Sequence, residues 1–221
     1  MRVALLVLFG FAASASAQLA WDTREITLKP LAGDASAMAR FAFKNGGTYP
    51  VAIRSTRSSC GCVVIGGESA KKYAPGDSGV LAVQFLIGER VGLQEKFITV
   101  DTDDPTYPTM VLTLKVNIPA LVEIDPPALI WKQNEPAEPK RVKITPNPAV
   151  PVKILGVQSS DPGVTTTRDP ASIDGALSLL VTPGDTSKLG FRLITVNTDY
   201  PSGKPRSFYI YVRVEPATAP R

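Results

Sequence analysis

The sequence predicts an all-β chain, two tandem β-sandwich domains that follow a signal peptide. Three observations carry that reading. An apolar N-terminal run ends in a small-residue motif, short segments alternate apolar and polar residues, and a set of sequence elements occurs twice in one order.

Arg2 supplies a short positive region, Val3 to Phe11 is apolar apart from Gly10, and Ala15-Ser16-Ala17 gives the cleavage pattern of an export signal. Cleavage after Ala17 would leave Gln18 as the mature N-terminus and place the protein in the periplasm or outside the cell. The run is too short to span a bilayer. No cysteine follows it closely, which argues against a lipid anchor. No later segment has the apolar length of a transmembrane helix.

The remaining chain is written in strands. Met110, Leu112, Leu114, Val116 and Ile118 alternate with Thr113, Lys115 and Asn117, so one face meets a core and the other meets water. Phe208, Ile210, Val212 and Val214 repeat the pattern against Tyr209, Tyr211 and Arg213. Leu81, Val83 and Phe85 follow it, as do Leu177, Leu179 and Val181. Phe41 and Phe43 share a side of another strand, which stops at the turn signal Asn45-Gly46-Gly47. No segment carries a sustained helical stripe. Twenty prolines and seventeen glycines punctuate the chain, which favours many short strands with turns.

Two copies of the pattern are visible. Ile98-Thr99-Val100-Asp101-Thr102-Asp103-Asp104-Pro105 returns as Ile194-Thr195-Val196-Asn197-Thr198-Asp199-Tyr200-Pro201. Pro50-Val51-Ala52-Ile53 returns as Pro151-Val152-Lys153-Ile154, Leu19-Ala20-Trp21 as Leu129-Ile130-Trp131, and Pro75-Gly76-Asp77 as Pro183-Gly184-Asp185. Four matches in one order point to a duplicated domain. A mature chain of about 200 residues suits two domains of roughly 100 each. We therefore expect a signal peptide over 1–17, a first domain over 18–119, a second over 120–215 and a disordered tail over 216–221. Prolines flank the junction, at Pro119 and at Pro126-Pro127, and predict a short, stiff connection. Trp21 and Trp131 read as core anchors, one per domain.

Composition narrows the function. Histidine is absent, which removes the commonest general base, the commonest metal ligand and every imidazole triad. The net charge of +4 comes from scattered lysines and arginines and leaves no nucleic-acid footprint. No catalytic residue, cofactor motif or enzyme class is indicated. Asp101, Asp103, Asp104 and Asp199 could be read as a calcium loop, but a turn whose carboxylates cap backbone amides is the preferred reading. Tyr209 and Tyr211 could form a sticky outer face for an interface, or an ordinary cross-strand arrangement.

Cys60 and Cys62, in Ser59-Cys60-Gly61-Cys62, are the only cysteines. In an exported protein a disulfide is the default. Pairing across one residue needs a tight bend, which the freedom of Gly61 in φ would allow. The ring is small, and the loop-entropy relation gives it roughly 1.6 kcal/mol at best. Three roles stay open: a redox pair, a Cu(I) site built from two thiolates, and a small buried pair that tightens a strand-to-strand corner. Arg54, Arg57, Lys71 and Lys72 are close in sequence and would favour thiolate if close in space. Ser58 to Cys62 aligns with Ser159-Ser160-Asp161-Pro162-Gly163, so the second copy keeps the serines and drops both cysteines.

The first domain resembles the bacterial family called domain of unknown function 1573. The resemblance rests on Trp21, the Asn45-Gly46 turn, the strand Val51 to Ile53, Ser59 to Cys62, Tyr73-Ala74-Pro75-Gly76 and Asp101 to Pro105. It covers nearly the whole first domain; the second is similar only loosely and lacks the cysteine motif. The resemblance implies an immunoglobulin-like fold and an envelope or extracellular location, and it lends no catalytic residues. At fold level the domain is also similar to those of ciliary Hydin-type and major-sperm-protein-like adaptors.

Together these readings point to a secreted or periplasmic structural or interaction protein that is not an enzyme, binds no cofactor and meets other envelope proteins. A thiol-redox or Cu(I)-binding protein using Cys60 and Cys62 is the alternative. A pilus-type periplasmic chaperone with a templating edge strand is the third.

Overall fold

The computed structural model describes residues 19–66, 71–170 and 176–217. The signal peptide expected at 1–17 and residues 218–221 of the tail lie outside them. Every regular element among the described residues is a strand, and no helix is long and apolar enough to cross a membrane. The chain divides into two compact units. One joins the described residues through Pro30 with Ala35–Asn117, and the other joins Leu31–Asp34 with the chain from Ile118 onward.

The first unit runs β1 (Leu19–Trp21), β2 (Glu25–Leu28), β3 (Ser36–Asn45), β4 (Val51–Ser58), β5 (Val63–Ile65), β6 (Lys72–Tyr73), β7 (Ser78–Leu86), β8 (Gly92–Thr102) and β9 (Thr109–Ile118). One sheet has the order β1-β3-β7-β5 and the other β2-β9-β8-β4-β6. The second unit runs β10 (Val122–Asp125), β11 (Ala128–Lys132), β12 (Lys140–Pro146), β13 (Ile154–Ser159), β14 (Thr165–Arg168), β15 (Leu177–Thr182), β16 (Gly190–Thr198) and β17 (Ser207–Glu215). Its sheets are β10-β12-β15-β14 and β11-β17-β16-β13. In each unit the first strand belongs to one sheet and the second crosses to pair in parallel with the last strand. Both units thus have the strand order of an immunoglobulin-like sandwich, with the split first strand serving both sheets.

Alternation decides which side chains enter each core. Phe41, Phe43, Leu81, Val83 and Phe85 from one sheet of the first unit are buried, as are Ile98, Val100, Leu112, Leu114 and Val116 from the other. The second core combines Val142, Ile144, Leu179 and Val181 with Trp131, Ile194, Val196, Ile210, Val212 and Val214. The Asn-Gly turn after β3 has a physical anchor. Asn45 is fully buried; its Nδ2 donates to the carbonyls of Tyr49 and Tyr73 at 2.9 and 2.8 Å, and its Oδ1 accepts the Gly47 N–H at 2.9 Å. Beside it, Trp21, Phe43 and Tyr73 form an aromatic cluster with centroids 4.7 and 4.8 Å apart. Gly79 lies directly opposite Phe43, and a Cβ there would collide with the Phe43 and Tyr73 rings.

The duplication is structural in two of its four matched stretches. Ala52 N–H bonds Asp103 Oδ1 at 2.7 Å, and Lys153 N–H bonds Asp199 Oδ1 at 2.8 Å, so the Pro-Val and Ile-Thr-Val elements are true counterparts. The tryptophan match does not hold. Trp21 lies on β1, antiparallel to β3, whereas Trp131 lies on β11, parallel to β17; the counterpart of β1 is β10. The Pro-Gly-Asp match fails too, because Pro75-Gly76 precedes β7 while Pro183-Gly184 follows β15. Turn residues and aromatic anchors recur wherever strands start and stop, so short matches of those types can coincide without homologous position.

Candidate functional site

The two copies differ at the corner where the chain leaves β4, or β13, and crosses to the other sheet. Register fixes the correspondence. Ser58 faces Ile98 and Ser159 faces Ile194; beyond the corner, Ile65 faces Val83 and Thr166 faces Val181. Cys60, Gly61 and Cys62 thus stand where Asp161, Pro162 and Gly163 stand. The backbone of both corners is held the same way. Ser59 N–H donates to Phe97 O at 2.9 Å and Ser59 Oγ accepts the Phe97 N–H at 3.1 Å. Ser160 does the same with Leu193 at 2.8 and 3.0 Å. Ser58 Oγ donates to Cys60 O at 2.6 Å, and Ser159 Oγ to Asp161 O at 2.8 Å.

What differs is the link across the corner. In the first unit Cys60 and Cys62 form a disulfide with Cα atoms 5.3 Å apart. In the second, Asp161 Oδ1 accepts the Gly163 N–H at 2.8 Å and Asp161 Oδ2 accepts the Arg192 Nε–H at 3.0 Å. These bonds, that from the Gly163 amide first and then Arg192, hold the Asp161 carboxyl below its ordinary pKa. Gly61 does not take a left-handed conformation, and proline occupies the same point in the second corner. The expected need for glycine's freedom in φ is therefore corrected: the bend uses backbone angles open to most residues.

Burial separates the two sulfur-bearing residues. Cys62 is 6% exposed, and its carbonyl accepts the Leu86 N–H at 2.8 Å. Cys60 is half-buried, Gly61 is exposed, and no heavy atom beyond the adjoining residues lies within 4 Å of where a Gly61 Cβ would project. The four basic residues do not gather here. Lys72 faces Ala52 at the start of β4, and Lys71 sits over the Tyr73 ring, while the cysteines follow the end of β4. Arg54 is exposed within β4, and Arg57 pairs with Asp101 at 3.0 Å. A Cu(I) dithiolate would require the reduced pair, since each sulfur here is bonded to the other. Among the described residues no group of three or more Cys, Asp or Glu side chains is placed to hold a metal ion.

The aspartate-rich turn spends its carboxylates on the fold. Asp103 ties the turn to β4, Asp104 Oδ1 accepts the N–H groups of Thr106 and Tyr107 at 2.8 and 3.3 Å, and Asp101 accepts the hydroxyls of Ser55 and Thr109. Those two hydroxyls, with Arg57, lower the Asp101 pKa. In the second unit Asp199 alone keeps the equivalent tie, to Lys153.

The outer faces of the sheets that contain β8 and β16 form a second contrast. In the first unit Lys115 bonds Glu25 at 2.8 Å and lies 3.9 Å from Glu95, Arg57 pairs with Asp101, and Leu93, Phe97 and Val111 are exposed among them. In the second unit the face is aromatic. Phe191 and Tyr211 have centroids 5.6 Å apart, the Arg213 guanidinium lies 5.7 Å from the Phe191 ring, and Tyr209 and Ile130 are exposed alongside. The alternation placed Tyr209, Tyr211 and Arg213 on one face, but the sequence reading missed Phe191 and Ile130 there. Strand parity was the available signal: Ile194 and Val196 point inward, which turns Phe191 outward on the same strand.

No curated protein matches. A protein of unknown function from Porphyromonas gingivalis W83 is 14% identical, with 89% of this chain and 99% of that one covered and a TM-score of 0.35. The YadV chaperone is 9% identical over 87% and 98% of the two chains, with a TM-score of 0.37. A PapD-like domain of human CEP192 is 16% identical over 54% and 97%, with a TM-score of 0.35. Values this low carry no argument. Residues 19–118, the whole of the first sandwich, match the family model described as protein of unknown function (DUF1573).

Proposed function

We propose that this protein is exported to the cell envelope and works by binding another envelope protein, with no chemistry on its partner. The observation that carries this reading is the aromatic outer face of the second sandwich. Where the first sandwich mixes ion pairs with exposed Leu93, Phe97 and Val111, the second packs Phe191 against Tyr211 and Arg213 and leaves Tyr209 and Ile130 exposed alongside. Tyrosine, phenylalanine and arginine are the residue types enriched where interfaces are fully desolvated. A rigid sheet presents them at little ordering cost. Export is supported by the N-terminal run and cleavage motif.

A photo-crosslinking residue placed at Tyr211 in the producing cell tests this. A discrete protein adduct at 211, lost in the Phe191→Ser variant and missing when the probe sits at Thr113 of the first sandwich, is the expected result. Equal labelling at 211 and 113, or none at 211, would overturn it.

A further inference from the structure

We propose that Cys60–Cys62 is a thiol-exchange site whose substrate class is a dithiol, and that incoming thiolate attacks Cys60. The site lies on the first sandwich and is independent of the aromatic face of the second.

The internal copy supplies the first argument. The second sandwich builds the same corner, with the same three serine hydrogen bonds, using Asp161 and Gly163 where the first has cysteines. A noncovalent link suffices to hold this corner. The disulfide closes a ring of only three residues, so it constrains little of the unfolded chain. A bond that the fold does not need, and that barely restricts the unfolded state, can open without unfolding the domain.

Access supplies the second. Cys60 is half-buried and adjoins exposed Gly61, with open space on the outer side of the corner, whereas Cys62 is buried and its carbonyl is bonded to Leu86. Exchange requires the thiolate, the attacked sulfur and the leaving sulfur to approach a line, so the more accessible sulfur is attacked. Chemically, an external thiolate forms a new S–S bond to Cys60 Sγ, the Cys60–Cys62 bond breaks, and its electron pair leaves on Cys62 Sγ. The second thiolate of the dithiol then attacks its own sulfur in the mixed disulfide and releases Cys60. Two protons from the dithiol end on the two cysteine thiols, the protein is reduced by two electrons, and the dithiol becomes a disulfide. The chain has no third cysteine, so the intermediate cannot rearrange internally. Because the backbone of Cys62 stays pinned to β7, its thiol remains beside Cys60 and the reaction runs backward when an oxidised dithiol is supplied.

The test uses the folded full chain in buffered mixtures of oxidised and reduced dithiothreitol, followed by thiol counting and circular dichroism. The expected result is two titratable thiols at native spectrum, reversed by oxidised reagent. A bond that resists reduction until the chain unfolds would overturn the proposal. The direction of attack is read from single-cysteine variants: Cys60 in C62S should be alkylated about tenfold or more faster than Cys62 in C60S. Equal rates, or the opposite order, would sink the assignment of Cys60 as the attacked sulfur.

Discussion

Asp161 occupies in the second sandwich the position of Cys60 in the first, and its Oδ1 reaches the Gly163 N–H at 2.8 Å where Cys60 is bonded to Cys62. One corner, held by the same serine hydrogen bonds, is thus closed once by a covalent bond and once by a carboxylate.

Asp161→Ala removes that closure and leaves Arg192, which is largely buried, without its carboxylate. The variant should unfold at lower urea than the parent chain at neutral pH. Since the folded-state pKa of Asp161 is depressed, its contribution is complete above the ordinary value of 3.8 and is lost as pH falls through the lower folded value. The gap between variant and parent should therefore close only below pH 3.8. A gap that already vanishes near pH 6 would contradict this origin.

Gly61→Ala should be neutral or slightly stabilising, within roughly 0.5–1 kcal/mol. The position has ordinary backbone angles and nothing within 4 Å of the new methyl group. Chemical denaturation checks it, and a loss of several kcal/mol would show that the corner does depend on glycine.

Asn45→Ala should be severe for a turn residue. It strands two backbone carbonyls and an amide that the buried side chain now serves, a loss of roughly 2–4 kcal/mol. Equilibrium unfolding with a probe in the first sandwich would measure it.

Calcium should leave the melting temperature unchanged, because both carboxylate oxygens of Asp101 and the Oδ1 atoms of Asp103 and Asp104 are committed to hydroxyls and backbone amides, and Asp104 Oδ2 is buried. Asp103→Ala should lower the melting temperature with or without calcium. A rise of several degrees on adding calcium would restore the calcium-loop reading.

Much of this molecule was legible because a strand writes its burial into alternate residues. Met110 to Ile118 and Ile210 to Val214 enter the cores as their alternation predicts. The Asn45 turn and the Ser58-Ser59/Ser159-Ser160 correspondence were legible too, since local hydrogen bonding needs those residue types there. Strand partnership was not. The two Leu-x-Trp stretches look alike, yet one begins an antiparallel edge and the other a parallel one. Nothing in three residues encodes which neighbour they will meet.

The sequence by itself determined the all-β class, the duplication and the asymmetry of the cysteines, because alternation, turn chemistry and residue identity are local properties. Only the tertiary structure decided that Asp161 closes its corner through the Gly163 amide, that Cys60 is the open side of the disulfide, and that Phe191 from the neighbouring strand joins Tyr211 and Arg213 on one face. Those relationships depend on register between strands distant in the chain, and register is set by packing the whole sheet.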